Sequence, residues 1–207
     1  MSDTPRPSLL TELKDDFTAA ALNRFERVDG RNVLGRVWLA WRMLWEAEAM
    51  PSLVRYRFSA WLRRHRVPVL PGFLDRWNRA AVGLFIGPPV TIGPGVYMPH
   101  GCVVIDGIVT IGRSCVLNPW VTIGLNSKVD DDGQVILFGP TIGDFVLVGT
   151  GAKLLGPIKI GAGARIGANA VVISDVPAGA TAVGIPARVV RKGPASTAAS
   201  PPLTADG

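Results

Sequence analysis

The sequence contains few of the residues from which metal centres and disulfide frameworks are built. There are two cysteines and two histidines in 207 residues. We therefore expect no disulfide framework, no bound metal and, by default, the reducing cytoplasm. Met1 to Asp15 mixes charges and lacks an apolar core, so a secretory leader is not expected. The uncharged run 80–105 is interrupted by many glycines and prolines, which argues against a transmembrane helix.

Glycine and tryptophan are plentiful but unevenly distributed. Of 24 glycines, 19 lie between Gly83 and Gly184, whereas five of the six tryptophans precede residue 82. A hydrophobic content of 48% supports a folded core, and the length suits one domain, alone or with a smaller partner. The change near residue 82 predicts a first region at 1–82, a second at 83–192, and a polar tail at 193–207 that we expect to be disordered.

Helical periodicity is present in four stretches of the first region. In the first stretch we expect the buried face to contain Leu10, Leu13, Phe17 and Ala21. The other stretches are predicted at 37–48 (closed by Pro51), at 53–66 (stopped before Pro68) and at 73–82. The first region is therefore predicted to be α-helical.

The second region contains an internal repeat of six residues. Bulky aliphatic residues recur at this interval at Ile142, Val148, Leu154, Ile160, Ile166 and Val172. A second apolar residue follows each of them four positions later. The same interval occurs earlier at Ile92, Met98, Val104, Ile111, Leu117 and Ile123, with one extra residue between Val104 and Ile111. On this pattern Cys102 and Cys115 fall on the second apolar position, so we interpret both as small core residues.

A period of six matches neither an α-helix nor an ordinary amphipathic strand. It is typical of a solenoid in which short strands alternate with tight corners, three hexapeptides forming one triangular coil. The stretch 125–140 interrupts the repeat, and we predict that it is a loop projecting from the coil. The predicted fold is mainly β, a parallel β-helix preceded by helices.

The sequence resembles the hexapeptide-repeat acyltransferases, which are left-handed parallel β-helix enzymes. It is similar in particular to the serine O-acetyltransferase group and to related exopolysaccharide sugar O-acetyltransferases. The resemblance spans about 53–192 and is carried by TIGPGVYMPHGCVVI (91–105), VTIG (121–124) and the segment 149–192, which contains GIPAR (184–188). It implies a trimer, or a dimer of trimers, that binds acetyl-CoA in a groove between subunits.

The family histidine that acts as general base falls on His100. Imidazole is the side chain best suited to this role at neutral pH, and the chain offers two candidates. His65 stands among arginines at a predicted helix end and is interpreted as a solvated residue. His100 stands beside Gly101 at a predicted coil corner, where it is either the base or an ordinary polar corner residue.

The resemblance also implies residues for the cofactor and the acceptor. Gly124 is a candidate amide donor for the oxyanion. The acetyl-CoA groove is expected to involve Gly149, Gly151, Ala152, Gly167, Ala168, Ala182, Gly184, Arg188 and Lys192. Acceptor contacts are expected from Asp106, Asn118 and Asp130. For the small residues the alternative is that any β-helix needs them at its corners; for the charged ones it is ordinary solvation.

The sequence departs from the serine acetyltransferase pattern at the positions that bind serine and orient the histidine. The family carboxylate is replaced by Phe85 and the histidine that follows it by Gly87, and the family Arg-His-Pro reads Phe138-Gly139-Pro140. Zwitterionic serine needs charged partners, since unpaired buried charges are costly. We therefore predict a neutral sugar or glycan precursor as acceptor, with serine as the alternative. A non-catalytic β-helix scaffold is the rival outside the enzyme class.

The helical region is strongly basic. Between Arg24 and Arg79 there are twelve arginines and five acidic residues, a balance of +7 against +6 for the whole chain. Such a surface suits an anionic membrane, which would place the protein at the inner face of the membrane. The alternative that we favour is that the tryptophans form the core between helices and the arginines its solvated rim. The sequence contains no recognised nucleic-acid reader motif, and we expect no nucleic-acid partner.

Overall fold

A computed structural model describes residues 7–24, 32–46, 48–124, 126–129 and 132–191. Four helices precede a run of short strands, which confirms the predicted order of helical region and β-helix. The helices are α1 (Leu9–Asn23), α2 (Val33–Glu46), α3 (Met50–Arg64) and α4 (Leu70–Val82). The predicted tail at 193–207 lies outside the described residues.

The strands that follow the helices are short, and most contain two residues. They are β1 (Phe85–Ile86), β2 (Thr91–Ile92), β3 (Val104–Asp106), β4 (Thr110–Ile111), β5 (Val116–Leu117), β6 (Thr122–Gly124), β7 (Asn126–Val129), β8 (Val135–Phe138), β9 (Thr141–Ile142), β10 (Leu147–Val148), β11 (Lys153–Leu154), β12 (Lys159–Ile160), β13 (Arg165–Ile166), β14 (Val171–Val172), β15 (Thr181–Gly184) and β16 (Ala187–Arg191).

Three parallel sheets form the walls of the β-helix. The first has the strand order β1-β3-β6-β11-β14, the second β2-β4-β9-β12, and the third β5-β10-β13-β15 with β16 antiparallel at its end. Neighbouring strands are in register, so that Ile105, Ile123, Leu154 and Val172 stack on one another inside the coil. In most two-residue strands the first residue faces out and the second is buried, which explains why a six-residue interval specifies the core.

The structure corrects the phase of the repeat in the first coil. The inward residue of β3 is Ile105, not Val104, which is only half-buried. Ile105 follows Met98 by seven positions, whereas the paired Ile123 follows Leu117 by six. The extra residue therefore lies between Met98 and Ile105, at the corner that contains His100. The sequence pattern misplaced it because Val104 and Ile105 are both aliphatic.

The same shift changes the interpretation of one cysteine. Cys115 is fully buried, as predicted, but Cys102 is only half-buried and has a φ of +59°. Val103 takes the inward position beside it. The core interpretation is thus right for Cys115 and wrong for Cys102, because the extra residue moves Cys102 out to the corner.

The interruption at 125–140 contains regular structure. Strands β7 and β8 pair antiparallel, with Asn126 opposite Phe138 and Val129 opposite Val135. The projection from the coil is therefore a β-hairpin rather than an irregular loop. It leaves the β-helix after β6 and returns at β9, which continues the second sheet.

Two details of the helical region differ from the prediction. Pro51 lies in the first turn of α3 instead of closing α2, a position where its missing N–H costs nothing. The buried residues of α1 are Glu12, Asp16, Ala20 and Ala21, and Phe17 packs against the core, while Leu10 is exposed. The predicted set is therefore right for Ala21 and Phe17 and wrong for Leu10, because the buried side of this helix also meets polar groups of α3 and the first coil.

A buried ion pair joins α1 and α3 to the first coil. Arg57 donates from Nε and Nη2 to the Asp16 carboxylate at 2.8 and 3.1 Å, and also to the carbonyls of Ile92 and Gly93, both at 2.6 Å. Asp16 accepts in addition from the backbone N–H groups of Gly95 and Val96. Burial works to lower the pKa of Arg57, but its hydrogen bonds to Asp16 and the charge of Asp16 outweigh burial and hold that pKa above its usual value.

The tryptophans of the helical region do not form a core between helices. Trp38, Trp41, Trp45 and Trp77 are all more than half exposed. The interior contacts of α2 are made instead by Leu39 and Met43. The interpretation of these four tryptophans as core residues is therefore wrong for the chain on its own.

Candidate active site at the coil corner

His100 projects from the corner where the first coil has its extra residue. Its side chain is 61% exposed, and its Nδ1 lies 3.1 Å from Oε2 of Glu48. When the imidazole is neutral, a carboxylate at this distance accepts the Nδ1 proton and leaves the Nε2 lone pair free. A carboxylate that fixes the tautomer in this way is what a histidine general base requires.

Glu48 comes from the helical region, in the turn between α2 and α3. The carboxylate position of the family pattern is occupied by Phe85, whose ring lies beneath the Arg79 guanidinium at 5.2 Å. A carboxylate thus contacts His100 from another part of the chain than the family pattern indicates. Sequence analysis missed this contact, since Glu48 and His100 are 52 positions apart and no local motif connects them.

One edge of the β-helix collects most of the predicted cofactor residues. The strand registers align the corner at His100 with those at Asn118, Gly149 and Gly167 in successive coils, and Ala182 lies beside Ile166 in the next strand. We call this edge the corner column. Coils stack about 4.8 Å apart, so the column extends roughly 19 Å from the first coil to β15.

The glycines of the corner column are also required by the stacking itself. A Cβ on Gly149 would lie 2.6 Å from the Ala168 nitrogen, and one on Gly167 would lie 2.7 Å from a methyl of Val183. Gly151 has a φ of +74°, in the left-handed region that favours glycine. Small residues here therefore serve the fold, and they also leave a backbone-lined surface beside His100.

Three polar or aromatic side chains give the corner column its chemical character. Asn118 donates from Nδ2 to the Val148 carbonyl at 2.9 Å, so its amide is engaged within the coil. Lys153 donates to the carbonyls of Trp120 and Gly151, which places a cation on the column. Trp120 is exposed and has a φ of +65°. Sequence analysis did not single out Lys153 or Trp120; an outward strand position and a lone tryptophan among the repeats were the available signals.

Other predicted site residues lie away from this edge. Asp106 and Gly124 are the last residues of β3 and β6 and pair with each other, at the edge of the first sheet opposite the corner column. About 13 Å of extended chain separates Gly124 from the corner at Trp120. A Cβ on Gly124 would collide with the Asp106 carbonyl, so this glycine has a packing reason of its own. The Asp106 carboxylate accepts a hydrogen bond from the N–H of its neighbour Gly107 at 2.9 Å.

The remaining predictions concern the end of the β-helix and residues outside the described set. Strands β15 and β16 form an antiparallel hairpin in which Gly184 faces Ala187 and Arg188 faces Val183, so Arg188 flanks the last coil of the corner column. Asp130 and Lys192 lie outside the described residues. Among the described residues, no group of three His, Cys, Asp or Glu side chains could hold a metal ion.

The other histidine has a different environment. His65 caps the C-terminus of α3, with Nδ1 2.8 Å from the Trp61 carbonyl and its ring centre 4.1 Å from that of Trp61, the two planes tilted by 33°. A cavity of about 230 Å³ lies between α3 and the first coil, lined by residues that include Tyr56, Arg57 and Pro89 but not His100. His100 therefore stands on an open edge of the chain.

Comparison with known proteins matches this architecture. The family model described as bacterial transferase hexapeptide (six repeats) matches residues 139–174. The serine acetyltransferase of Synechococcus elongatus is 40% identical over 140 residues, which are 67% of this chain and 55% of the relative. That of Helicobacter pylori strain J99 is 37% identical over 153 residues, 73% of this chain and 86% of the relative. The chain thus spans about half the length of the first relative and most of the second.

A solved structure extends the likeness to the helices. The structure described as serine acetyltransferase in complex with CoA superposes with a TM-score of 0.70 at 28% identity, covering 89% of this chain and 70% of that one. This coverage is larger than the match of the hexapeptide model alone. The helical region and the β-helix therefore occur together in a known acetyltransferase architecture.

Proposed function

Because the chain belongs to the serine acetyltransferase family, we propose that it transfers an acetyl group from acetyl-CoA to the hydroxyl of a small acceptor. The observation that carries the proposal is the pairing of His100 with Glu48 on the corner column. The structure that contains CoA supports the choice of cofactor, since it shares both regions of this chain. The non-catalytic scaffold remains the rival that the experiments below address.

The proposed reaction uses His100 as general base and Glu48 as positioning residue. Nε2 of His100 removes the proton of the acceptor hydroxyl as its oxygen attacks the thioester carbonyl of acetyl-CoA. The carbon–sulfur bond then breaks, and the proton on Nε2 passes to the departing CoA sulfur. Glu48 holds the Nδ1 proton throughout, which keeps the imidazole in the tautomer that can accept at Nε2.

The cofactor is proposed to lie along the corner column. The backbone of Gly149–Ala152, Gly167 and Ala168 would contact the extended arm of CoA, and Lys153 and Arg188 would meet its phosphates. An open edge in a single chain suits a groove completed by a second subunit, so we propose a trimer as the smallest active unit. Gly124 is not retained as the oxyanion donor, because it lies at the far end of the first sheet.

L-Serine is the acceptor that the relatives support best, and the sequence-based preference for a sugar finds no support among them. One observation keeps a neutral polyol as the second candidate. The positions from which the family pattern supplies charged serine contacts carry Phe85, Gly87 and Phe138-Gly139-Pro140 instead. Serine binding would therefore need other charged groups, whereas a sugar hydroxyl would not.

Replacing His100 tests the mechanism. His100→Ala should lower kcat by about 10²–10⁴-fold, the usual contribution of a general base, with a smaller change in KM for acetyl-CoA. His65→Ala is the matched control, and we expect it to keep wild-type turnover. Full activity of His100→Ala would remove the histidine from the mechanism. Absence of acetyl-CoA binding to the wild-type chain by calorimetry would instead favour the scaffold.

The acceptor is tested separately by CoA release with L-serine, simple sugars and nucleotide sugars at equal concentration. Turnover of L-serine alone supports serine acetyltransferase activity. Turnover of a sugar with none of serine supports the polyol candidate. Both results require that acetyl-CoA without acceptor releases little CoA in the same assay.

A further inference from the structure

The outward face of α2 is an apolar surface that no described part of the chain covers. Its residues, which we call the α2 face, are Val33, Leu34, Val37, Trp38, Trp41, Leu44 and Trp45. At 100° per residue they occupy one arc of about 140°. Trp45 is 82% exposed and Trp41 61%, whereas Met43 on the opposite side is fully buried. The helix is thus apolar on both sides, and only one side has a partner within the chain.

The surroundings of the α2 face are positively charged. Among the described residues, Glu46 already pairs with Arg24 and Arg42, and Asp75 pairs with Arg63. Asp16 and Glu12, which precede this stretch of the chain, pair with Arg57 and Arg64. Beside the α2 face itself, the Arg42 guanidinium lies 5.4 Å from the centre of the Trp38 ring, and Arg24 lies 3.6 Å from Glu46. These two arginines share Glu46, so the described charges at the border of the face are positive on balance.

We propose that the α2 face binds the surface of a membrane that contains anionic lipids, with the tryptophans in the headgroup region. Indole rings favour that region because they are apolar with one polar N–H. Arginines around an apolar helix face attract anionic headgroups. A second copy of the chain fits less well, since it would bring an equally positive surface against this one. None of the helices described is both long and apolar enough to cross a bilayer.

The proposed membrane contact lies next to the candidate active site. Glu48, which contacts His100, follows the last residue of α2 by two positions. Docking of α2 would therefore hold the catalytic corner close to the membrane surface. This inference goes beyond the proposed acetyl transfer and does not depend on it, because binding can be measured without turnover.

Co-sedimentation of the full chain with lipid vesicles tests the proposal. Vesicles of phosphatidylcholine with phosphatidylglycerol should bind the wild-type protein, and pure phosphatidylcholine vesicles should bind it at least about tenfold less. The triple variant Trp38→Gln, Trp41→Gln, Trp45→Gln should lose about tenfold or more of the binding to anionic vesicles. Ile173→Gln, which replaces an exposed apolar residue of the β-helix, is the matched control and should bind as wild type.

Three results would overturn the proposal. The first is no binding of the wild-type chain to anionic vesicles at low salt. The second is equal binding of the triple variant, shown by circular dichroism to be folded. The third is loss of a higher oligomer by the triple variant in sedimentation velocity without loss of vesicle binding, which would assign the α2 face to a second copy of the chain.

Discussion

The β-helix and the helical region are stabilised in different ways. In the β-helix each coil repeats the same contact, with an aliphatic residue such as Ile123, Leu154 or Val172 stacked on its equivalents. In the helical region the important contacts are made once. Asp16 and Arg57 anchor two helices on the first coil, and Glu48 reaches His100. The repeated contacts form a long regular surface. The single contacts place charged side chains and a histidine at one end of that surface.

The candidate site lies where the two kinds of construction meet. The corner of the first coil is the one that departs from its neighbours by an extra residue, and the turn between α2 and α3 approaches it. A regular coil offers the same backbone at every turn and cannot by itself distinguish one corner for catalysis. In the proposed reaction, the irregular corner and Glu48, which comes from outside the repeat, make that distinction.

The largest expected effect on stability comes from breaking the buried ion pair. Asp16→Ala leaves the Arg57 guanidinium buried without a counter-charge, and we expect the free energy of unfolding to fall by about 3–5 kcal/mol. Denaturant unfolding measures this free energy. Asp15→Ala on the same helix is the control, and its free energy of unfolding should stay within about 0.5 kcal/mol of the wild-type value. A similar small loss for both variants would show that the helices are held by apolar packing instead.

Shortening a stacked core residue should lower the free energy of unfolding somewhat less than breaking the ion pair. The size of this loss should depend little on which coil carries the substitution. Leu154→Ala removes a fully buried side chain and is expected to lower the free energy of unfolding by about 2–5 kcal/mol. Ile123→Ala, in the neighbouring coil, should give nearly the same value. A large difference between the two in the same denaturant titration would contradict the description of the coils as equivalent units.

Removing the orienting carboxylate should affect catalysis without affecting stability. Glu48→Gln is expected to lower kcat about tenfold, with KM for acetyl-CoA unchanged, because Glu48 acts through the imidazole. In the His100→Ala background the same change should have no further effect. Imidazole nitrogen shifts measured by NMR provide a readout apart from activity, and they should show loss of the Nδ1–H tautomer. An additive effect in the double variant would mean that Glu48 has another role.

The smallest expected effect separates the two cysteines. Burial raises the pKa of the Cys115 thiol to about 12, so at pH 8 only ~10⁻⁴ of it is thiolate, the reactive form. Cys102 is half-buried at the corner. A thiol reagent should therefore label Cys102 quickly in the folded protein. Labelling of Cys115 should increase only as the pH approaches the pKa of its thiol. Equal rates at pH 8 would show that the coil containing Cys115 opens readily.

The sequence by itself determined the β-helix and the edge on which the candidate site lies. An interval of six is a local property, and register between coils follows once each aliphatic residue stacks on the next. The six-residue interval therefore made it predictable that His100 aligns with the glycines of the corner column. The phase error at Val104 shows the limit of the pattern, since two adjacent aliphatic residues satisfy it equally well.

Tertiary structure decided the rest. Asp16 meets Arg57 across 41 positions and Glu48 meets His100 across 52, and neither pair belongs to a repeat. The exposed tryptophans of α2 have the spacing of a buried helix face and were predicted as one. Periodicity reports which residues share a face; what that face contacts depends on how separate layers of the chain pack together, and no local pattern contains that information.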